Sequence, residues 1–101
     1  MEKEIIWSNS ALNQLENIYF YLLKKTKSYS IANKVVEGIY DSVTILKTDS
    51  EIYKLDDMKV SNNGSYRAYE IYNYRISYKI MPNSINILRV RHTSRIPKKL
   101  K

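Results

Sequence analysis

The sequence predicts an α+β domain of two layers, a helical hairpin packed on an antiparallel sheet in the order β-α-α-β-β-β. Three observations lead there. Apolar residues recur at three- and four-residue steps from Ala11 to Leu46, the period of amphipathic helices. From Tyr66 onward the period becomes two, the mark of half-buried strands. Between them, residues 49–65 collect Asp, Ser, Asn and Gly, which favour turns and irregular connections. A chain of 101 residues with 44% hydrophobic composition has room for one such domain, residues 1–101, and one modest core.

Each element has its own grounds. Glu4-Ile5-Ile6-Trp7 is a short β-rich run and makes a first strand. Ser8-Asn9-Ser10 supplies three N-cap residues for a helix whose apolar face is Ala11, Leu12, Leu15, Ile18, Tyr19 and Leu22. Lys24, Lys25 and Lys27 suit the negative end of its dipole. Ser30 caps a second helix carried by Ala32, Val35, Val36, Ile39, Val43 and Leu46, running to about Lys47. Gly38 inside it costs about 1 kcal/mol against Ala, which points to close helix packing. The few residues between the helices force them to fold back on each other.

Glu51–Leu55 adds a short extended piece to the connection, and Asn63-Gly64 marks a tight turn. Tyr66–Tyr72 reads as a strand, with a hairpin turn at Asn73-Tyr74. Tyr74–Met81 follows, with Ile76, Tyr78 and Ile80 opposite Arg75, Ser77 and Lys79. After Pro82-Asn83-Ser84, strict alternation over Ile85–Arg91 sets Leu88 and Val90 against Ile87, Arg89 and Arg91.

The charge is segregated. All five arginines lie in residues 67–101, which carry a formal balance of +8, while residues 1–66 balance at −1. Arginine's planar fork grips phosphate or carboxylate with two hydrogen bonds, whereas lysine offers a hydrated point charge. Strand parity assigns Arg75, Lys79, Arg89 and Arg91 to the face of the sheet away from the helices. Residues two apart on a strand are about 7 Å apart and neighbouring strands about 5 Å, close enough to share one anion. Arg67 has the parity of Ile71, and Arg95 ends the cluster. The strands supply one carboxylate, Glu70, so internal neutralisation of this face is expected to be slight. The only histidine, His92, sits among the arginines and is a candidate acid or base. Most of the ten tyrosines read as core residues with a polar tip, and Tyr66, Tyr69 and Tyr74 stay as ligand candidates.

Composition narrows the classes. Without cysteine there is no disulfide framework or thiolate site, and one histidine makes a zinc cluster a poor expectation. The reading requires no metal and no cofactor. No run approaches the length of a membrane span, and the N-terminus lacks the layout of a signal peptide, so the expectation is a cytoplasmic protein without a membrane partner. A pI near 9.6 calls for an acidic partner, protein or nucleic acid.

The order of elements resembles the RelE/ParE superfamily of toxins from type II toxin–antitoxin modules. So do Trp7-Ser8 at the first helix, Tyr74-Arg75-Ile76-Ser77-Tyr78 in the middle strand and Ile87-Leu88-Arg89-Val90-Arg91-His92 in the last. The similarity spans about residues 3–95. It implies a growth-inhibiting toxin neutralised by a cognate antitoxin, with which it forms a hetero-oligomer. The two long helices look more like the ParE-like branch, whose members poison DNA gyrase. The RelE-like branch consists of metal-independent, ribosome-dependent mRNA endonucleases. On that reading Arg75 and Arg91 stabilise the phosphate with Arg67 assisting, His92 is the acid or base, and Glu70 or a tyrosine is its counterpart. Lys54 and Lys59 loosely match basic positions such enzymes use. A third reading is a non-catalytic nucleic-acid-binding module. The ligand- or target-binding set common to these readings is Arg67, Glu70, Arg75, Arg89, Arg91 and Arg95.

Overall fold

The computed structural model describes residues 2–95, with the side chain of Arg95 excepted. The chain runs β1 (Glu4–Trp7), α1 (Asn9–Thr26), α2 (Tyr29–Ser42), a 3-10 turn (Thr44–Lys47), β2 (Tyr66–Ile71), β3 (Tyr74–Ile80), β4 (Ser84–His92) and a final 3-10 turn (Thr93–Arg95). The sheet order is β1-β4-β3-β2. β2, β3 and β4 form the expected antiparallel meander, and β1 joins parallel to β4. The helical hairpin covers one face, giving the two-layer β-α-α-β-β-β architecture expected from the sequence.

Local chemistry sets the helix bounds. Ser8 caps α1, its Oγ accepting the Ala11 N–H at 3.0 Å. Lys27 ends α1 in the left-handed region, and its N–H donates to Leu23 O at 2.8 Å. Two residues, Lys27 and Ser28, join the helices. Ser28, not Ser30, is the cap of α2, since its Oγ accepts the Ile31 N–H at 3.2 Å. α2 also stops earlier than periodicity suggests. The Ser42 hydroxyl bonds back to Ile39 O at 2.6 Å and lies 2.6 Å from the Tyr69 hydroxyl. With its proton directed at Ile39, Ser42 Oγ receives the Tyr69 proton. The chain then tightens into the 3-10 turn, which keeps Leu46 buried.

The core lies between the layers. Ala11, Leu15 and Ile18 of α1 and Ile39 of α2, with Val43 and Leu46 beyond it, pack on Tyr69, Tyr74, Ile76, Tyr78, Ile85, Ile87 and Val90. Burying a large aliphatic side chain contributes about 1.5–3 kcal/mol, so this cluster is the main source of stability. Two turns differ from simple parity. The β2–β3 hairpin turns at Tyr72-Asn73, one residue earlier than expected, because both residues take positive φ (53° and 66°) and Tyr74 pairs as a buried strand residue. In β4, Ser77 pairs with Arg89 but Tyr78 with Ile87, so Leu88 is a bulge. The bulge reverses parity, and Ile87 is fully buried on the helix side rather than sharing a face with Arg89.

The bulge lies where β1 ends. Past Trp7 the outer edge of β4 loses its strand partner, and α1 supplies substitutes. Ser8 Oγ donates to Leu88 O at 3.0 Å, and Gln14 Oε1 accepts the Val90 N–H at 2.6 Å. A buried amide without a partner costs about 1–3 kcal/mol, which these contacts avoid.

Candidate functional site on the open sheet face

The face of the sheet away from the helices presents Tyr66 and Glu70 from β2, Arg75, Ser77 and Lys79 from β3, and Arg89 and Arg91 from β4. Register fixes their neighbours: Arg75 stands between Glu70 and Arg91, and Ser77 stands beside Arg89. The bulge brings this about, since it returns Arg89 and Arg91 to the parity of Arg75 after Ile85 and Ile87 have faced the core. Arg89 and Arg91 are exposed, and among the described residues their guanidinium groups have no hydrogen-bond or ion-pair partner. Lys59 and Lys79 flank the Tyr66 ring at 4.4 and 5.1 Å from its centroid, a cation–π arrangement that holds two more positive charges at the same face.

Arg75 is engaged. Its Nη2 donates to Asp56 Oδ1 at 2.6 Å and lies 3.5 Å from Asp57 Oδ1, and the side chains of Arg75 and Asp56 are only 15% and 12% exposed. The expectation of slight internal neutralisation is therefore wrong for this residue. The acids arrive from the connection between the 3-10 turn and β2, which wraps the sheet edge. Leu55 bridges to Arg67, and the Asp56 N–H donates to Tyr66 O at 2.9 Å. Glu70, the register neighbour of Arg75, makes no ion pair among the described residues. The adjacent aspartates Asp56-Asp57 were the one sequence signal for this contact. Their position opposite Arg75 depends on how the connection folds.

The other candidates go elsewhere. Arg67 pairs with Tyr78 and lies on the helix side, where it holds the connection in place. Its Nε donates to Gly64 O at 3.3 Å and its Nη1 to Tyr53 O at 2.8 Å and Glu51 O at 3.3 Å. Tyr69 is buried on the same side, stacked on Tyr53 at 4.1 Å, and burial pushes its hydroxyl up to about 12. Arg95 closes the last 3-10 turn, and its side chain lies outside the described part.

His92 pairs with Tyr74 and so faces the helix side, with parity opposite to that of Arg91. The two rings meet edge to face at 5.1 Å. The Ser94 backbone N–H donates to His92 Nδ1 at 3.1 Å, and Ser94 Oγ lies 2.7 Å from the same atom. Nδ1 is thus an acceptor, and the proton of the neutral ring sits on Nε2. In that tautomer Nε2–H is the ring's free donor. His92 lines a cleft of about 440 Å³ between α1 and the end of β4, with Gln14, Asn17, Tyr21, Tyr74 and Arg91 among its walls. Among the described residues no group of three His, Cys, Asp or Glu side chains stands together as a metal site would require. No described helix is long and apolar enough to cross a membrane.

Residues 5–97 match the family described as ParE toxin of type II toxin-antitoxin system, parDE. The chain belongs to the ParE toxin family. Solved structures agree on the fold. The chromosomal ParDE system from P. aeruginosa superposes with a TM-score of 0.74 at 19% identity, covering 90% of this chain and 96% of that one. The DinJ-YafQ toxin–antitoxin complex of E. coli gives 0.59 at 14% identity, over 93% and 96%. The YoeB dimer from Staphylococcus aureus gives 0.55 at 18%, over 90% and 97%. No curated protein matches the sequence. In this ParE-family toxin, then, the exposed and unpartnered arginines among the described residues are Arg89 and Arg91, and His92 has the opposite parity on β4, meeting Arg91 only in the cleft beside α1.

Proposed function

We propose that this toxin arrests growth without catalysis, by docking the open sheet face on DNA gyrase in the cytoplasm, and that a cognate antitoxin holds it inactive in a hetero-oligomer. The observation that carries the reading is the separation of charge from chemistry. Among the described residues Arg89 and Arg91 have no ion-pair partner on the open face, while the His92 ring turns to the helix side with Nδ1 taken by Ser94 and shares with Arg91 only the cleft beside α1. A ribosome-dependent nuclease needs its acid or base beside the cations that hold the phosphate. A protein-binding surface needs only accessible arginines, which rank among the most effective contact residues at interfaces. The antitoxin partner is supported by family membership and by the toxin–antitoxin assemblies that share the fold.

The test is induced expression of the full chain. The wild type is expected to stop growth, with gyrase-cleaved DNA accumulating and messages remaining intact. Arg89→Ala with Arg91→Ala is expected to raise the level needed for arrest by about tenfold or more, the scale of losing about 1.4 kcal/mol of binding. Message cleavage in translating ribosomes would favour the nuclease reading, for which the register pairing of Arg75 with Arg91 is the supporting geometry.

A further inference from the structure

The end of the helical hairpin carries a second concentration of positive charge, in the other layer of the fold. Residues 17–36 hold Lys24, Lys25, Lys27 and Lys34 and no acid, although residues 1–66 as a whole balance at −1. All four lysines are exposed and make no ion pair among the described residues. Beside them Phe20 is 57% and Tyr29 67% exposed, and Tyr21 and Ile31 are open to solvent as well. Lys25 Nζ lies 5.7 Å from the centroid of the Tyr21 ring, so charge and ring share one patch.

The patch surrounds the end of the hairpin instead of forming one stripe. Phe20 stands about 200° round α1 from the buried Ile18, on the side away from the sheet. Lys24 lies beside it one turn on, and Tyr21 and Lys25 occupy the flank. Lys27 ends the helix at a φ of 57°, and Tyr29, Ile31 and Lys34 follow on α2 after a two-residue link. A docking helix covers one stripe, whereas a deformable surface covers an end. Lysine offers a point charge without arginine's fork, which suits a spread negative surface better than a single oxyanion. The phosphates of a duplex would meet the lysines and leave Phe20 and Ile31 in water. The interface of an anionic bilayer meets both, with headgroups against the lysines, tyrosine hydroxyls at headgroup level and apolar tips at the acyl boundary.

We infer that the end of the α1–α2 hairpin docks reversibly on an anionic lipid surface. The expectation of no membrane partner rested on the want of a spanning run, and a surface contact needs none. The hairpin end and the open sheet face belong to opposite layers, so lipid docking and target docking are separable by mutation.

The experiment sediments the purified full chain with vesicles of phosphatidylcholine and phosphatidylglycerol in equal parts, and with vesicles of phosphatidylcholine alone. Binding is expected to the mixed vesicles only. Lys24→Gln with Lys25→Gln is expected to lower the partition coefficient about tenfold or more, and Phe20→Ala with Ile31→Ala about tenfold. All four side chains are exposed, so these variants keep the fold, which far-ultraviolet dichroism checks. Arg89→Ala with Arg91→Ala removes the same charge from the opposite layer and is expected to cost less than about threefold. In Phe20→Trp, mixed vesicles are expected to shift indole emission to shorter wavelength, beyond any change of the wild-type Trp7. No binding to mixed vesicles, equal losses from the lysine and arginine pairs, or full binding by Phe20→Ala with Ile31→Ala overturns the inference. Capture by polyglutamate or duplex DNA without vesicle binding assigns the hairpin end to an acidic protein or a nucleic acid and overturns it too.

Discussion

Tyr72 lays its ring against Gly38. A Cβ at residue 38 would stand 2.5 Å from Tyr72 Cε2 and 3.1 Å from its hydroxyl oxygen. The glycine expected to mark close helix packing thus marks the contact between α2 and the β2–β3 turn. Tyr72 holds this place at a φ of 53°, a region that costs an L-residue about 1–2 kcal/mol.

The ring is 45% exposed and can swing outward, so Gly38→Ala should displace it rather than unfold α2. The substitution gains about 1 kcal/mol of helix propensity and loses the packing of Tyr72. Denaturant melts are expected to show Gly38→Ala close to neutral in the wild type. In a Tyr72→Ala background it should stabilise by about 1 kcal/mol. Equal effects in both backgrounds would show that the two residues are not coupled.

Arg67 should behave as a structural residue. Arg67→Ala removes bonds to the carbonyls of Gly64, Tyr53 and Glu51 and loosens the connection on β2. A loss of about 2–3 kcal/mol is expected in urea unfolding, because hydrogen bonds to charged groups are worth more than neutral ones. Arg67→Lys should recover only part of it, since an ammonium cannot span the three carbonyls as a planar fork does.

His92→Ala is expected to leave growth arrest within about twofold of the wild type, whereas losing a general acid or base costs about 10²-fold or more. The measurement is survival on induction at matched expression. A loss of the larger size would return His92 to the chemistry.

Alkaline pH should unfold the protein through two buried tyrosines. Burial is the first cause of the rise of Tyr69 and Tyr78 from 10 to about 12. Folding therefore favours their protonated forms. The contribution is fully present below pH 10 and is lost as pH rises from 10 toward 12. Tyrosinate absorbance should show a late step coinciding with loss of far-ultraviolet dichroism. Tyr78→Phe also loses the bond from its hydroxyl to Ser50 O, 2.9 Å long, yet should weaken the alkaline transition.

By itself the sequence determined the architecture. Its two periods, 3.6 in the helices and 2 in the strands, are local properties of hydrophobic burial, and they place the hairpin, the meander and the order of elements correctly. It also determined that the positive charge belongs to the C-terminal third of the chain, residues 67–101, because the distribution of residue types alone carries that. Only the tertiary structure decided which arginines are available. One bulge at Leu88 shifts Ile87 into the core and keeps Arg89 and Arg91 outward, an outcome strict alternation reached only by misplacing Ile87. Bounds set by hydrogen bonds also escaped periodicity, as with the cap at Ser28 and the turn at Tyr72-Asn73. The partner of Arg75 lies 19 residues earlier, in a connection with no period to read. Ion pairs are fixed by where the backbone brings charges within a few ångströms, and that distance is a property of the folded chain, not of spacing along it.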